Sequence, residues 1–260
     1  MDGAAAVSDV LYRYDGSYPG FLCCIFESYA QKELPLAVCG PEEGQTSLYA
    51  MREIETDLPR ARRVEKGVDR LGGAVRARLM TGFLSGDDGK DLTLLRFARA
   101  AFRQGPGAAQ MLGDPDVSAA FALERAVNNE ACWMREFLRF EQRGPMLGAV
   151  IHPRHYVLPL LRAHFCSRLP DENFVILDAA HGAALLRQGA DVQYLQMRQF
   201  TAAPEAGEAE WRALWQRFFR ALTIEERYNP ACQAGHCRKR FWRDMPEMQG
   251  APPDLRGQAR

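Results

Sequence analysis

Apolar positions over the first 130 residues recur mostly at helical spacing. Leu22, Ile25, Phe26 and Tyr29 follow a turn built from Asp15-Gly16-Ser17 and Pro19-Gly20, spaced as one face of a helix requires. A helical pattern holds from about Arg60 to Leu84. It resumes from Leu92 to Phe102 after the polar turn Ser85-Gly86-Asp87-Asp88-Gly89, and Asp114-Pro115-Asp116 starts a further helix reaching about Met134. Two short runs break this period, Val10 to Tyr14 and Leu36 to Cys39 before Gly40-Pro41, and each predicts a strand.

The period changes after Met134. Phe137 to Phe140 leaves the helical count, and Gln142-Arg143-Gly144 separates it from Leu147 to Ile151, which predicts a hairpin. His155 to Leu169 places Val157, Leu160, Leu161 and Phe165 on one helical face. Asn173 to Asp178 is a mostly apolar run and predicts a buried strand. Ala183 to Leu186, after His181-Gly182, reads as its hairpin mate, and Gln193 to Met197 as an edge. A Pro/Ala/Gly/Glu linker at 201–208 leads into Trp211, Leu214, Trp215, Phe218, Phe219 and Leu222, whose spacing is the clearest helical signal in the chain. The class is therefore α+β. Residues 1–130 form a mostly helical region with a small strand pair, 131–243 a ββαββα-like C-terminal domain, and 244–260 a tail.

Composition narrows the class without naming an activity. The chain has 260 residues, 47% hydrophobic and 25% charged, which excludes a disordered or collagen-like polymer. No stretch of about 18 apolar residues predicts a membrane span, and acids stand where a signal peptide would begin with bases. Seven cysteines without a CxxC pair argue against a disulfide framework or zinc ribbon. A cytoplasmic protein with no membrane partner is expected. GxGxxG, GxxxxGK[ST] and GxSxG are all missing, so neither a nucleotide loop nor a hydrolase elbow is predicted. His152, His155, His164 and Cys166, and likewise Cys232, His236 and Cys237, match no zinc spacing. Neither a metal nor a cofactor is expected.

Charge adds the first functional hint. The 33 Lys+Arg balance the 33 Asp+Glu, yet the distribution is uneven. Arg60, Arg62, Arg63, Lys66, Arg70, Arg76 and Arg78 face only Glu65 and Asp69 in their stretch, and Arg238, Lys239, Arg240 and Arg243 have no acid among them. Such clusters suit an anionic partner, and arginine suits phosphate because its guanidinium donates in a fork. In the second run the cations interleave with Phe241 and Trp242, a pattern that can hold phosphates while a ring stacks on a base. Arg135, Arg139 and Arg143 surround the Phe137–Phe140 segment and can extend the cationic face. The plain alternative is that the rings dock on the core and the arginines dress the surface.

Four blocks carry a resemblance: YDGSYPGFLCCIFESY, NEACWMREFLRFEQRG, IHPRHYVLPLLRAHFCSRLPDENFVILDAAH and ALTIEERYNPACQAGHCRKRFWRDMPE. Together they resemble a bacterial family of DNA-metabolism or DNA-repair proteins. Its C-terminal domain of unknown function resembles the segment fused ahead of uracil-DNA glycosylase-like domains, and its members accompany a radical-SAM DNA-modification and repair protein. Two departures stand out. The family's Glu-x-His is Glu130, Ala131 and Cys132 here, and its Met-Pro-Lys-Arg-Tyr-Trp is Cys237-Arg238-Lys239-Arg240-Phe241-Trp242. The resemblance implies a DNA-repair accessory that binds DNA and works with a radical-SAM iron–sulfur partner. On that reading Arg60, Arg62, Arg63, Arg139, Arg238, Lys239, Arg240 and Arg243 neutralise phosphates, and Trp242 stacks or braces. A second reading is an enzyme on damaged DNA, of glycosylase or lyase type. Glu130 or Asp178 would activate water, and Lys66 or Lys239 would serve as Schiff-base lysine. A third is a protein–protein adaptor without DNA contact.

Overall fold

The computed structural model describes residues 8–41, 48–200, 205, 207–222 and 229–249. The chain divides into two compact units, Met1–Asn128 and Asn129–Arg260. Most of the 201–208 linker, Arg227 and Tyr228, and the end of the expected tail lie outside the described residues.

In the first unit, strand β1 (Val10–Arg13) leads into helix α1 (Tyr18–Ala30). Ser17 starts that helix by accepting from the Gly20 N–H at 3.0 Å, and Pro19 occupies the first turn, where its missing N–H costs nothing. Strands β2 (Ala37–Cys39) and β3 (Ala50–Glu53) both pair parallel to β1, in the order β2-β1-β3. The expected strand pair is thus three strands. Strand β3 is hard to foresee because its sequence, AMRE, is largely solvent-exposed and shows no apolar alternation.

The helical stretch predicted from Arg60 to Leu84 is two helices, α2 (Leu58–Leu71) and α3 (Gly73–Phe83). Gly72, at φ +105°, ends the first; an L side chain rarely adopts that backbone. Asp57 caps α2 through the Arg60 N–H at 2.9 Å. Helices α4 (Lys90–Gln104) and α5 (Pro115–Phe137) follow, the latter started by the Asp114 carboxylate accepting from Asp116 and Val117. Tyr12, Phe21, Ile25, Leu79, Leu94, Leu95 and Phe97 are fully buried in this unit's core.

The second unit is built on a five-stranded mixed sheet, β4 (Glu141–Arg143), β5 (Met146–Ile151), β6 (Phe174–Asp178), β7 (Ala183–Gln188) and β8 (Asp191–Gln196), in sequence order. The first hairpin is present, but Phe137 ends α5, Leu138–Phe140 are not in a strand, and the turn falls at Gly144-Pro145. β5 and β6 are parallel, joined through α6 (Leu158–Arg168); β7 and β8 are antiparallel additions. Every residue of β6 is buried, which explains why it reads as an apolar run rather than an alternating one. Val175 and Leu177 pack with Ala184, Val150 and Phe200, while Phe140 packs edge-on against both Phe165 and Phe174. Beyond the sheet lie α7 (Glu208–Ala221), α8 (Pro230–His236) and two 3-10 turns, Lys239–Asp244 and Pro246–Met248. Residues 244–249, expected as tail, are therefore part of this unit: Met245 is buried and the Glu247 side chain is 1% exposed.

Candidate functional site

Parallel strands gather loops at one end, and β5 and β6 end together here. Ile151 pairs with Asp178, and the Ala179 N–H donates to the Ile151 carbonyl at 3.0 Å. Each strand delivers one histidine–carboxylate pair. His152 Nδ1 lies 2.9 Å from Asp244 Oδ1, and His181 Nδ1 lies 2.7 Å from Asp178 Oδ2. Asp178 is fully buried; its other oxygen accepts from the N–H groups of Ala180 and His181, each at 3.1 Å, closing the β6–β7 turn. Tyr156 meets the His181 ring edge-on at 5.6 Å. Burial raises the Asp244 carboxyl above its usual range, opposed by His152 and Arg243.

Glu130, on α5, is also fully buried. It accepts from the His155 N–H at 2.7 Å and forms an ion pair with Arg240 Nη2 at 2.7 Å, so it ties the helix to the loop after β5 and to the 239–244 turn. Cys132 stands two residues on, about 200° around a helix of 3.6 residues per turn. It is exposed, with its thiol donating to Glu136 at 3.5 Å. A group at position 132 therefore points away from Glu130.

Four arginines from separate segments meet in a cleft of about 210 Å³ beside the sheet: Arg139, Arg143, Arg212 and Arg243. Arg139 binds Glu247 through Nη2 at 2.7 Å. Arg143 lies over the Phe200 ring at 4.4 Å and pairs with Glu141 at 3.2 Å, while Arg212 pairs with the other Glu141 oxygen. Arg243 is 3.8 Å from Asp244 and largely exposed. Four guanidinium groups thus share three carboxylates, those of Glu247, Glu141 and Asp244. Gly148 makes the arrangement possible, because a Cβ there would stand 2.6 Å from Arg143 Cδ and 3.3 Å from Phe200.

The interleaved rings and cations of the C-terminal run mostly serve one another. Arg238 lies over Trp133 at 4.7 Å, Trp133 packs on buried Phe241 at 5.4 Å, and Arg240 lies over Phe241 at 4.7 Å. The half-buried Trp242 donates its indole N–H to the Cys237 carbonyl at 2.9 Å, with Lys239 Nζ 5.9 Å from its ring. Arg238, Lys239 and Arg243 are the exposed cations of this run outside a close ion pair; Arg240 is committed to Glu130.

Arg60, Arg62 and Arg63 are exposed on α2 of the first unit, with Arg60 and Arg63 over the Phe26 ring at 5.4 and 5.9 Å. Lys66 is exposed on the same helix. Arg78 leaves the surface cluster. It is buried between Phe97 and Phe121, paired with Glu124 at 2.8 Å and donating to the Ala109 carbonyl at 2.7 Å. Arg135, expected beside the cationic face, donates to the Leu160 carbonyl at 2.8 Å. Arg212 is a cleft residue that the sequence does not announce, because it sits inside the aromatic stripe of α7. Its one signal is position, four residues after Glu208, which accepts from the Gln142 N–H at 2.9 Å.

Among the described residues, no group of three or more His, Cys, Asp or Glu side chains converges as metal ligands. Cys237 is buried against the Met245 sulfur at 3.6 Å, and burial pushes its thiol up, whereas Cys232 and His236 are exposed.

No curated protein and no solved structure matches the chain. Residues 88–247 match a family described as a domain of unknown function, DUF4130. The matched stretch reaches back to the start of α4, well before the expected boundary near 130, and runs forward to Glu247, taking in both histidine–carboxylate pairs and all four cleft arginines. More than half of the chain being covered, this protein belongs to the DUF4130 family.

Proposed function

We propose that this protein binds nucleic acid through the second unit, with the arginine cleft and the exposed cations beside it as the phosphate-binding surface. The observation that carries the reading is the convergence of Arg139, Arg143, Arg212 and Arg243 on one cleft, with the exposed Arg238 and Lys239 in the same run as Arg243. Guanidinium groups fit phosphate oxygens in a forked geometry, and those already paired with carboxylates are held in place before a phosphate arrives. Its biological setting, a DNA-repair accessory beside a radical-SAM iron–sulfur protein, rests on the family resemblance, and a place in the cytoplasm on the composition of the chain. On this reading Arg60, Arg62 and Arg63 form a separate basic group on the first unit.

Fluorescence anisotropy on single-stranded, duplex and abasic DNA across a salt series tests it. A variant with Arg238→Ala, Lys239→Ala and Arg243→Ala leaves Arg240 on buried Glu130 and is expected to keep the fold, which its circular-dichroism spectrum checks. On duplex DNA, each phosphate that the protein ceases to neutralise makes log K against log salt shallower by about 0.9, so the triple variant is expected to be shallower by about 2–3. Folded wild type that does not bind at low salt overturns the reading and turns attention to an adaptor role.

One observation favours an enzyme on damaged DNA as the second reading. His181 is held at Nδ1 by buried Asp178 and is itself open to solvent, which leaves Nε2 to take a proton from water. Glu130 suits this work less, because Arg240 and the His155 N–H already engage both its oxygens. Lys239 is exposed, and borohydride trapping on abasic DNA tests it as a Schiff-base lysine.

A further inference from the structure

Helix α7 is mounted with its polar side inward. Glu208 accepts from the Gln142 N–H, Arg212 pairs with Glu141, and Gln216 donates to the Pro246 carbonyl at 2.8 Å, so positions four apart bind it to its own unit. The apolar stripe lies to the side of that face and is open. Trp211 is 68% exposed, Leu214 48%, Phe218 52% and Leu222 64%. Trp215, at the border, is tied down by its indole N–H on Glu247 at 3.0 Å. Large apolar side chains at this density on a helix mark an interaction surface rather than scattered surface residues.

The charges around the stripe say what covers it. The first turn carries Glu208 and Glu210, and the second half carries Arg217 and Arg220. A parallel partner helix of the same sequence would set acids beside acids and bases beside bases. An antiparallel one, crossing near Leu214, places Trp211 against Phe218 of the second copy and Glu210 beside its Arg217, twice by symmetry. Taking about 150–250 Å² for a whole aromatic side chain, the stripe exposes on the order of 500 Å² per copy. With the flanking ion pairs this approaches the roughly 800 Å² per partner of a standard interface. Self-complementarity of this kind is what a two-fold contact requires. We propose that α7 pairs antiparallel with α7 of a second copy of this chain, forming a homodimer.

Sedimentation equilibrium of the full chain, over roughly 1–100 μM protein, tests the proposal. Wild type is expected to dimerise, and Phe218→Glu to be monomeric at the same concentrations with an unchanged circular-dichroism spectrum. Glu210→Arg should weaken association by about tenfold or more, and adding Arg217→Glu to it should restore dimerisation. That charge exchange keeps the proposal testable should Phe218→Glu fail to fold. Folded wild type that stays monomeric, or a dimer indifferent to Phe218→Glu, overturns the proposal. So does a Glu210→Arg, Arg217→Glu pair that associates no better than Glu210→Arg alone.

Discussion

Arg139 and Glu247, 108 positions apart, form an ion pair in which Nε and Nη2 both reach one carboxylate oxygen, at 3.1 and 2.7 Å. The other oxygen accepts from the Trp215 indole, so the carboxylate joins the end of α5, α7 and the 246–248 turn. A cation placed among the phosphate-binding residues from the sequence therefore has an internal task. Arg139→Ala leaves a buried charge with only the indole as donor, and the expected loss is about 2–3 kcal/mol, because the arginine itself is partly exposed. Thermal melts should show a fall of roughly 5–10 °C. A melt unchanged to within a degree would mean that the pair with Glu247 adds nothing to the fold.

Glu130 separates a structural from a chemical role in the same way. Glu130→Gln keeps an acceptor for the His155 N–H and should lose only the attraction to Arg240, whereas Glu130→Ala should cost about 3 kcal/mol or more by abandoning both partners. Should Glu130→Gln instead leave stability intact and abolish turnover on a DNA substrate, the residue would be chemical.

Gly148→Ala probes the cleft with little disturbance elsewhere. Alanine suits the strand backbone, but its Cβ displaces Arg143 and presses on Phe200. The expected outcome is a stability change within about 1 kcal/mol and weaker DNA binding, with a salt slope shallower by about 0.9. Anisotropy and melting on one sample distinguish this from general unfolding.

The pH dependence of stability should carry the mark of His164. Burial, then the nearby Arg135 and Arg168 guanidinium groups, holds its imidazole below the usual 6.5. Between its folded value and 6.5 the unfolded chain is protonated and the folded one is not, so stability rises with pH across that window and is lost as pH falls through it. His164→Gln should flatten this trend. Melts at about pH 7.5 and about pH 5.5 check it, and a variant that loses as much stability on acidification as wild type would exclude His164 as the source.

Much of the fold was legible because local patterns carry it. The apolar run ending at Asp178 predicts the buried strand that forms there, and the turns holding Ser17 and Asp114 start their helices through side-chain acceptors. Strand β3 and the break at Gly72 were not legible, since one depends on pairing with β1 and the other on a backbone angle. The candidate site was legible only in residue type. Clustered arginines raise the expectation of an anionic partner, but Arg78, Arg99 and Arg187 look the same in sequence and donate to carbonyls within the fold.

By itself, then, the sequence determined most of the elements, the α+β class and the periods of its apolar faces, because backbone geometry repeats every two or 3.6 residues whatever lies across from it. Tertiary structure alone decided what each face and each charge meets. The stripe of α7 carries Trp211, Leu214, Phe218 and Leu222 at helical spacing, yet Glu208, Arg212 and Gln216 turn it outward. Arg243 and Arg139 are alike in the sequence, each a cation beside an aromatic run, yet one is exposed and the other closes on a buried carboxylate. Pairings between residues far apart in the chain set these outcomes, and no local period encodes them.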